Sequence, residues 1–408
     1  MRAIIVLLFI FISFLPTVAF AQPIPFSDSV EVSLLSCEPG DAVYARFGHT
    51  ALRIRDNSGR DMSYNYGIFD FRTDNFYWKF LRGHTDYLLG VYPTEYFLEE
   101  YRERESTVWE QVLNLTTAEK QKLIALLNEN YQPENRTYRY NFVFDNCATR
   151  PKVMLQRALS GELSYQSAYS SETYRQLISG YISNDAWLHL GINLIFGADA
   201  EQKAGQTGAA FLPLLLRDDL QNAKIEISTD GAAPRPLVLN THTVAGTFQK
   251  KIPETPWWLH PLFFSLLWLG AGMVLTFRKH KTSLSSKSFD AVLYTFTALA
   301  GLLIFMLSFF SEHPLVGSNW NLLWLNPLNL LPAVWIWKRK NRKILLVYLV
   351  VSVCMVLMAL VLFAFRVQTV PLAVLPLIVL VLIRTTRRVL RLSKRLIVRT
   401  SKGWKWKN

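Results

Sequence analysis

The chain has 408 residues, 50% of them hydrophobic and 18% charged, which is too apolar for an ordinary soluble enzyme and too rich in core residues for a disordered tail. Its net charge of +13 suggests a nucleic acid or an anionic lipid until the distribution is read. Residues 278–408 hold 20 basic and 2 acidic side chains out of totals of 44 and 31, leaving the first 277 residues acidic overall; the basicity coincides with the long apolar runs, which disfavours a nucleic-acid groove and favours a membrane with basic cytoplasmic loops.

Residues 1–21 read as a secretory signal. Arg2 supplies the positive start, Ile4 to Phe14 the apolar stretch, and Ala19-Phe20-Ala21 a small-x-small cleavage site before Gln22. An uncleaved anchor is the alternative, and either one exports the chain from Gln22 onward. No Cys comes directly after the apolar stretch, so the protein is not expected to be a lipoprotein itself. Residues 22–255 read as one exported α+β domain. Val30 to Ser36 and Ala51 to Arg55 have strand composition, and Asp56-Asn57-Ser58-Gly59 is a turn signal before the aromatic run Tyr64 to Phe71, so a hairpin is predicted. Thr116-Thr117-Ala118-Glu119 fits a capping box, with Leu123, Leu126 and Leu127 at helical spacing until Gln132-Pro133. Residues 200–256 read as a tether or a small layer of strands.

Residues 256–383 read as a membrane domain, since a span needs about 20 apolar residues. The candidate spans are Trp257 to Phe277, Ala291 to Phe310, Leu322 to Trp337, Ile344 to Phe365 and Val367 to Ile383; the third and fifth are short and contain Pro. The basic stretches Arg278 to Lys281, Lys338 to Lys343 and the tail from Arg384 alternate with Ser311 to Asn321, which has no Lys or Arg, and with the turn at Arg366. Basic loops stay in the cytoplasm, so five spans place residues 22–255 in the periplasm and the C-terminus in the cytoplasm of an inner-membrane protein. The signal peptide points the same way. The tail, residues 384–408, carries ten basic residues among Val389, Leu390, Leu392, Leu396, Ile397 and Val398 and reads as an amphipathic helix on the anionic inner leaflet.

The chemistry rests on few residues. The cysteines are Cys37, Cys147 and Cys354, the last in the fourth span. A Cys37–Cys147 disulfide is the structural alternative in an oxidising compartment. Against it, Cys147 stands in Asp145-Asn146-Cys147-Ala148-Thr149-Arg150 before a predicted helix, where the macrodipole favours a thiolate. A thiolate nucleophile needs a base and an orienting group. His49 follows Gly48 at the start of a strand; with the hairpin turn centred on residues 57–59, position 49 opposes 67 and 51 opposes 65, putting His49 and Asn65 on one face at diagonal distance. Cys147, His49 and Asn65 then form a Cys-His-Asn arrangement. His84 is a weaker rival in a loop. The histidines lack metal-ligand spacing and no Gly-rich phosphate loop occurs, so no cofactor is expected.

Phe47-Gly48-His49-Thr50-Ala51-Leu52-Arg53, Tyr64 to Phe71 and Asp145 to Arg150 resemble the exported domain of the Lnb family over about residues 30–160. The resemblance implies a permuted, NlpC-like papain fold, with the His strand before the Cys helix, followed by an all-α multi-span membrane domain, and an activity in lipoprotein N-acylation. By matched position Cys147 is the expected nucleophile and His49 the base, whereas Asn65 as orienter comes from the hairpin geometry. Asn141, Asn146 and Arg150 are candidates for oxyanion or substrate binding. The expected reaction is acyl transfer from a phospholipid through a Cys147 thioester to the α-amino group of a diacylated lipoprotein. A membrane-tethered hydrolase or peptidase, and a non-enzymatic scaffold with a Cys37–Cys147 disulfide, are the alternatives.

Overall fold

The computed structural model describes residues 24–27, 29–69, 74–227, 233–246, 254–277, 284–337, 342–400 and 403–406; the signal segment and Asp70 and Phe71 of the aromatic run lie outside them. The first half is built on a seven-stranded antiparallel sheet. Its strands are β1 (Val30–Cys37), β2 (His49–Asp56), β3 (Asp61–Ile68), β4 (Asp86–Pro93), β5 (Val108–Leu113), β6 (Thr137–Arg139) and β10 (Val238–Ala245), in the order β10-β5-β1-β2-β3-β4-β6. A short helix, α1 (Phe76–Leu81), connects β3 to β4. Both faces of the sheet are covered. Helices α3 (Thr117–Tyr131) and α4 (Thr149–Ala158) bring Leu123, Leu127, Met154 and Leu155 onto Leu34, Leu52, Tyr64 and Tyr66. On the other face α2 (Thr94–Glu103) packs Phe97, Leu98 and Tyr101 against Leu35, Cys37 and Ala51. Each such buried side chain stabilises the fold by roughly 1.5–3 kcal/mol, which is why β1 and β2 have apolar residues on both faces instead of alternating.

The predicted capping box is formed: Glu119 N donates to Thr116 Oγ1 at 3.3 Å and Thr116 N to Glu119 Oε2 at 2.8 Å. Residues 200–245 are no tether. They add α7 (Pro213–Gln221), whose Leu216 and Leu220 enter the main core, the edge strand β10, and β8 (Lys224–Glu226) and β9 (Arg235–Pro236), which form a small sheet with β7 (Glu162–Ser164). The lobe beside α4 is α5 (Tyr174–Ile182) and α6 (Ala186–Ile195), joined to α7 by a second core around Ile178, Ile182 and Phe211.

The C-terminal half is helical: α8 (Pro261–Phe277), α9 (Leu284–Phe310), α10 (Leu330–Trp335), α11 (Arg342–Ala364) and α12 (Val374–Leu396). Of these, α9 and α11 are long and apolar enough to cross a bilayer. Two expectations change here. Leu322 to Trp337 is not a continuous helix: two 3-10 turns, Trp320–Leu323 and Pro327–Asn329, precede the six-residue α10. Pro327 and Pro332 remove backbone donors, and Asn319 and Asn326 bend the chain by accepting from the N–H two residues on, at 3.0 and 2.9 Å. The irregular part is anchored on protein, with Trp324 and Leu325 buried and Asn329 bonded to Thr297 Oγ1 and Tyr348 Oη, as irregular backbone at membrane depth requires. The tail keeps its predicted helix as far as Leu396, as the end of α12, and departs from the prediction in two ways. Arg384, 1% exposed, lies inside the bundle, bonded to Asp290, Thr276 and Ser286, and after Leu396 the chain forms a hairpin of Ile397–Thr400 with Gly403–Trp406.

The two halves are locked together. The buried Arg175 of α5 binds Glu201 Oε1 at 2.7 Å, Asn193 Oδ1 at 2.9 Å and the carbonyls of Asn193, Phe196 and Gly197. Glu201 in turn accepts from Thr369 N at 2.7 Å, and Asn319 Nδ2 donates to the carbonyls of Leu194 and Ile195. Residues 312–319 and 368–369, which come after α9 and α11, therefore face the sheet domain together.

Candidate active site

His49 opens β2 because Gly48, at φ +77°, turns the chain where a Cβ would meet the Cys37 carbonyl oxygen at 2.6 Å. Across the β2–β3 ladder Ala51 pairs with Asn65, the register expected from the turn. The His49 Nε2–H donates to Asn65 Oδ1 at 2.6 Å. Asn65 is held in turn: its Nδ2 donates to Tyr92 Oη at 2.6 Å. Once Nε2 is engaged, Nδ1 is the ring nitrogen left to face Cys147 across Gly67.

Cys147 is positioned by Asn146. The Asn146 Oδ1 accepts from Ala148 N at 2.8 Å and Thr149 N at 2.9 Å, while its Nδ2 donates to the carbonyls of Phe142 at 2.7 Å and Phe211 at 2.8 Å. The hydrogen bond from Arg150 N to Asn146 O at 3.1 Å holds Cys147 in the turn that leads into α4, just before its N-terminus and near the positive end of its dipole. The Cys147 N–H meets no acceptor among the described residues. It is therefore a donor available to a developing oxyanion.

Sheet and helix meet at Gly67. The β3–β4 pairing shifts register between Tyr66 and Ile68, and Gly67 takes φ +139° there. A Cβ at this position would lie 3.1 Å from His49 Cε1 and 3.8 Å from Cys147 Cβ. The missing side chain is thus the space in which imidazole and thiol approach. Gly67 and Tyr92 are the contributors that sequence reasoning passed over. Gly67 had a signal, since the register sets it opposite His49; Tyr92 had none.

Burial works against protonation of His49, but the negative charge and hydrogen bond of Cys147, with the hydrogen bond to Asn65, outweigh it and raise the imidazole above its ordinary 6.5. Cys37, opposite His49 in the β1–β2 ladder, is fully buried; burial pushes its thiol well up, and Tyr101 is its hydrogen-bond partner. Both sulfurs are free, so the disulfide alternative is corrected: the pair is not formed.

The remaining candidates have partners within the protein. Arg150 binds Asp145 with two bonds, 2.6 and 2.7 Å, and lies 3.6 Å over the Tyr138 ring. Asn141 turns its Oδ1 onto the N–H groups of Val143 and Phe144 at 3.1 and 3.0 Å. His84 lies 3.2 Å from Glu312, which follows α9.

Fold and site together define a membrane protein whose extramembrane α+β domain carries a buried Cys-His-Asn cluster. Comparison with known families agrees and goes further: residues 26–180 match the Lnb N-terminal periplasmic domain and residues 253–395 the Lnb transmembrane domain. The chain belongs to the Lnb family. No curated protein and no solved structure matches it.

Proposed function

We propose that the protein is a thiol acyltransferase of the inner membrane that moves a fatty acyl chain from a phospholipid to the α-amino group of a lipoprotein N-terminal cysteine. The observation that carries this reading is the Cys147–His49–Asn65 alignment at the start of a helix laid on a sheet, in a domain bonded to both loops that come after α9 and α11. A Cys helix against a sheet that bears His and Asn on adjacent strands, with the His strand first in the chain, supports a permuted papain-like reading. Basic loops on one side and the domain-bound loops on the other support a multi-pass topology with a periplasmic domain and a cytoplasmic C-terminus.

In the first half-reaction the Cys147 thiolate adds to an ester carbonyl, the oxyanion taking the Cys147 N–H. Collapse breaks the ester C–O bond, and His49 gives its proton to the departing lysophospholipid oxygen. In the second, the lipoprotein amine adds to the thioester while His49 takes its proton, an amide forms and the C–S bond breaks, restoring the thiolate. With Cys147 only 6% exposed, bulk water is kept from the thioester, which favours the amine over hydrolysis.

Mass spectrometry of lipoprotein N-terminal peptides tests this in a deletion strain carrying either the unaltered chain or Cys147→Ala at equal membrane abundance. N-acylation restored by the first and not by the second is expected. Acylation that persists in the deletion strain overturns the transferase, and free fatty acid released with no acylated peptide turns the reading to a lipid hydrolase.

A further inference from the structure

A cleft of about 480 Å³ lies between α1 and the outer end of α9; Trp78, Arg82, Met306, Phe309, Phe310 and Glu312 line it. Its position is fixed by Glu312 N donating to Arg82 O at 2.9 Å and by the 2.7 Å bond between His313 Nε2 and Phe80 O. At Phe310 the apolar run of α9 ends and Ser311-Glu312-His313-Pro314 begins, which marks the level of the bilayer surface. At that level α1 leaves Tyr77, Trp78 and Phe80 more than half exposed, a cost in water that a lipid interface removes.

The charges of the cleft are unequal in availability. Glu312 is matched by Arg139 at 3.1 Å and His84 at 3.2 Å, whereas the Arg82 guanidinium has no ion pair among the described residues. From the cleft a strip of half-exposed rings runs inward: Phe80 to Phe76 at 5.8 Å, Phe76 to Phe69 at 5.5 Å, Phe69 to Tyr87 at 4.7 Å and Tyr87 to Tyr140 at 4.2 Å. Tyr87 and Tyr140 both lie within electrostatic reach of Cys147. An apolar, singly cationic cleft at the membrane surface is thus followed by a chain of aromatic contacts that leads toward the nucleophile. That suits a ligand with one phosphate and a long acyl chain.

We propose that this cleft is the port through which an outer-leaflet phospholipid reaches the site, its phosphate at Arg82 and one acyl chain along Phe80, Phe76, Phe69 and Tyr87 toward Cys147. The proposal rests on the acyl-transfer reading for its purpose, and its test separates the two. Full-length Cys147→Ser protein is placed in phosphatidylethanolamine–phosphatidylglycerol nanodiscs with a trace of phosphatidylethanolamine carrying a diazirine on its acyl chain. After irradiation the adducts are mapped by peptide mass spectrometry. Adducts are expected on residues 76–87 and 306–310, falling at least about fivefold in an added Arg82→Glu change that removes a charge-assisted contact, while adducts on Val347 and Val351 of α11 stay constant and report an intact bundle. Labelling of α11 alone, or labelling of the cleft indifferent to Arg82→Glu, overturns the port. The activity arm uses chains that keep Cys147: Arg82→Glu is expected to raise the phospholipid KM with little change in kcat. An unchanged KM with acylation intact overturns the port and leaves the transferase standing. Cleft adducts as expected, with no acyl chain ever reaching an amine, support the port and overturn the transferase.

Discussion

The imidazole of His49 has two nitrogens and two different neighbours, and that division of labour sets what single substitutions do. Asn65 holds Nε2, leaving Nδ1 for the sulfur. Because His49 titrates above 6.5 in the folded protein, the protonated ring contributes stability fully present below 6.5 and lost as pH rises through the folded value. The acyl-transfer rate should therefore fall on an alkaline limb that lies above 6.5. Asn65→Ala removes one of the interactions that raise the ring, so the limb should move to lower pH and the rate at neutral pH should drop about tenfold or more; a pH profile of single-turnover acylation measures both. Gly67→Ala puts a methyl against the ring at a φ that L-residues avoid. A stability loss of about 1–3 kcal/mol, with activity lost more completely than stability, is expected from thermal unfolding and turnover measured on the same preparation.

At the level of elements, the parts governed by local rules were legible. The turn at residues 57–60 set the β2–β3 register, and that register alone brought Asn65 to His49. The Thr116 and Glu119 capping box was equally plain. What escaped was decided by distant contacts: Tyr92 meets Asn65 only because β4 pairs with β3 in one particular register, and Asn146 reads as a polar neighbour of the thiol until Phe142 and Phe211 offer it their carbonyls. The broken helix of the third candidate span carried its own warning in Pro327 and Pro332. Arg384 did not, since a basic residue is read as a solvent or headgroup group unless Asp290, ninety-four positions earlier, is known to be beside it. Arg175 has the same character. Its guanidinium, 3% exposed, is held by groups from α6 through Glu201, and Arg175→Ala leaves them unpaired. A loss of about 3–5 kcal/mol is expected, seen as a lower unfolding temperature and faster proteolysis between α5 and α7.

For the whole molecule, the sheet domain and the helical bundle are one working unit, since the loops after α9 and α11 are bonded into the domain that carries Cys147. The proposed topology predicts a sidedness. Lys281→Cys and Lys340→Cys should react with a membrane-impermeant maleimide only after the membrane is opened, whereas Gly231→Cys should react in intact spheroplasts; the reverse pattern would invert the topology. Leu190 and Leu194 of α6 also pack against the core of the bundle, so the two halves share apolar as well as polar contacts. The central claim is an acyl chain carried on one sulfur, and the intact mass of the purified protein after exposure to phospholipid vesicles tests it most directly. A gain of one fatty acyl group mapped to Cys147, released by hydroxylamine and absent from Cys147→Ala, is the predicted result. An unacylated Cys147 in a protein that still acylates lipoprotein, or an adduct that survives in Cys147→Ala, would contradict it.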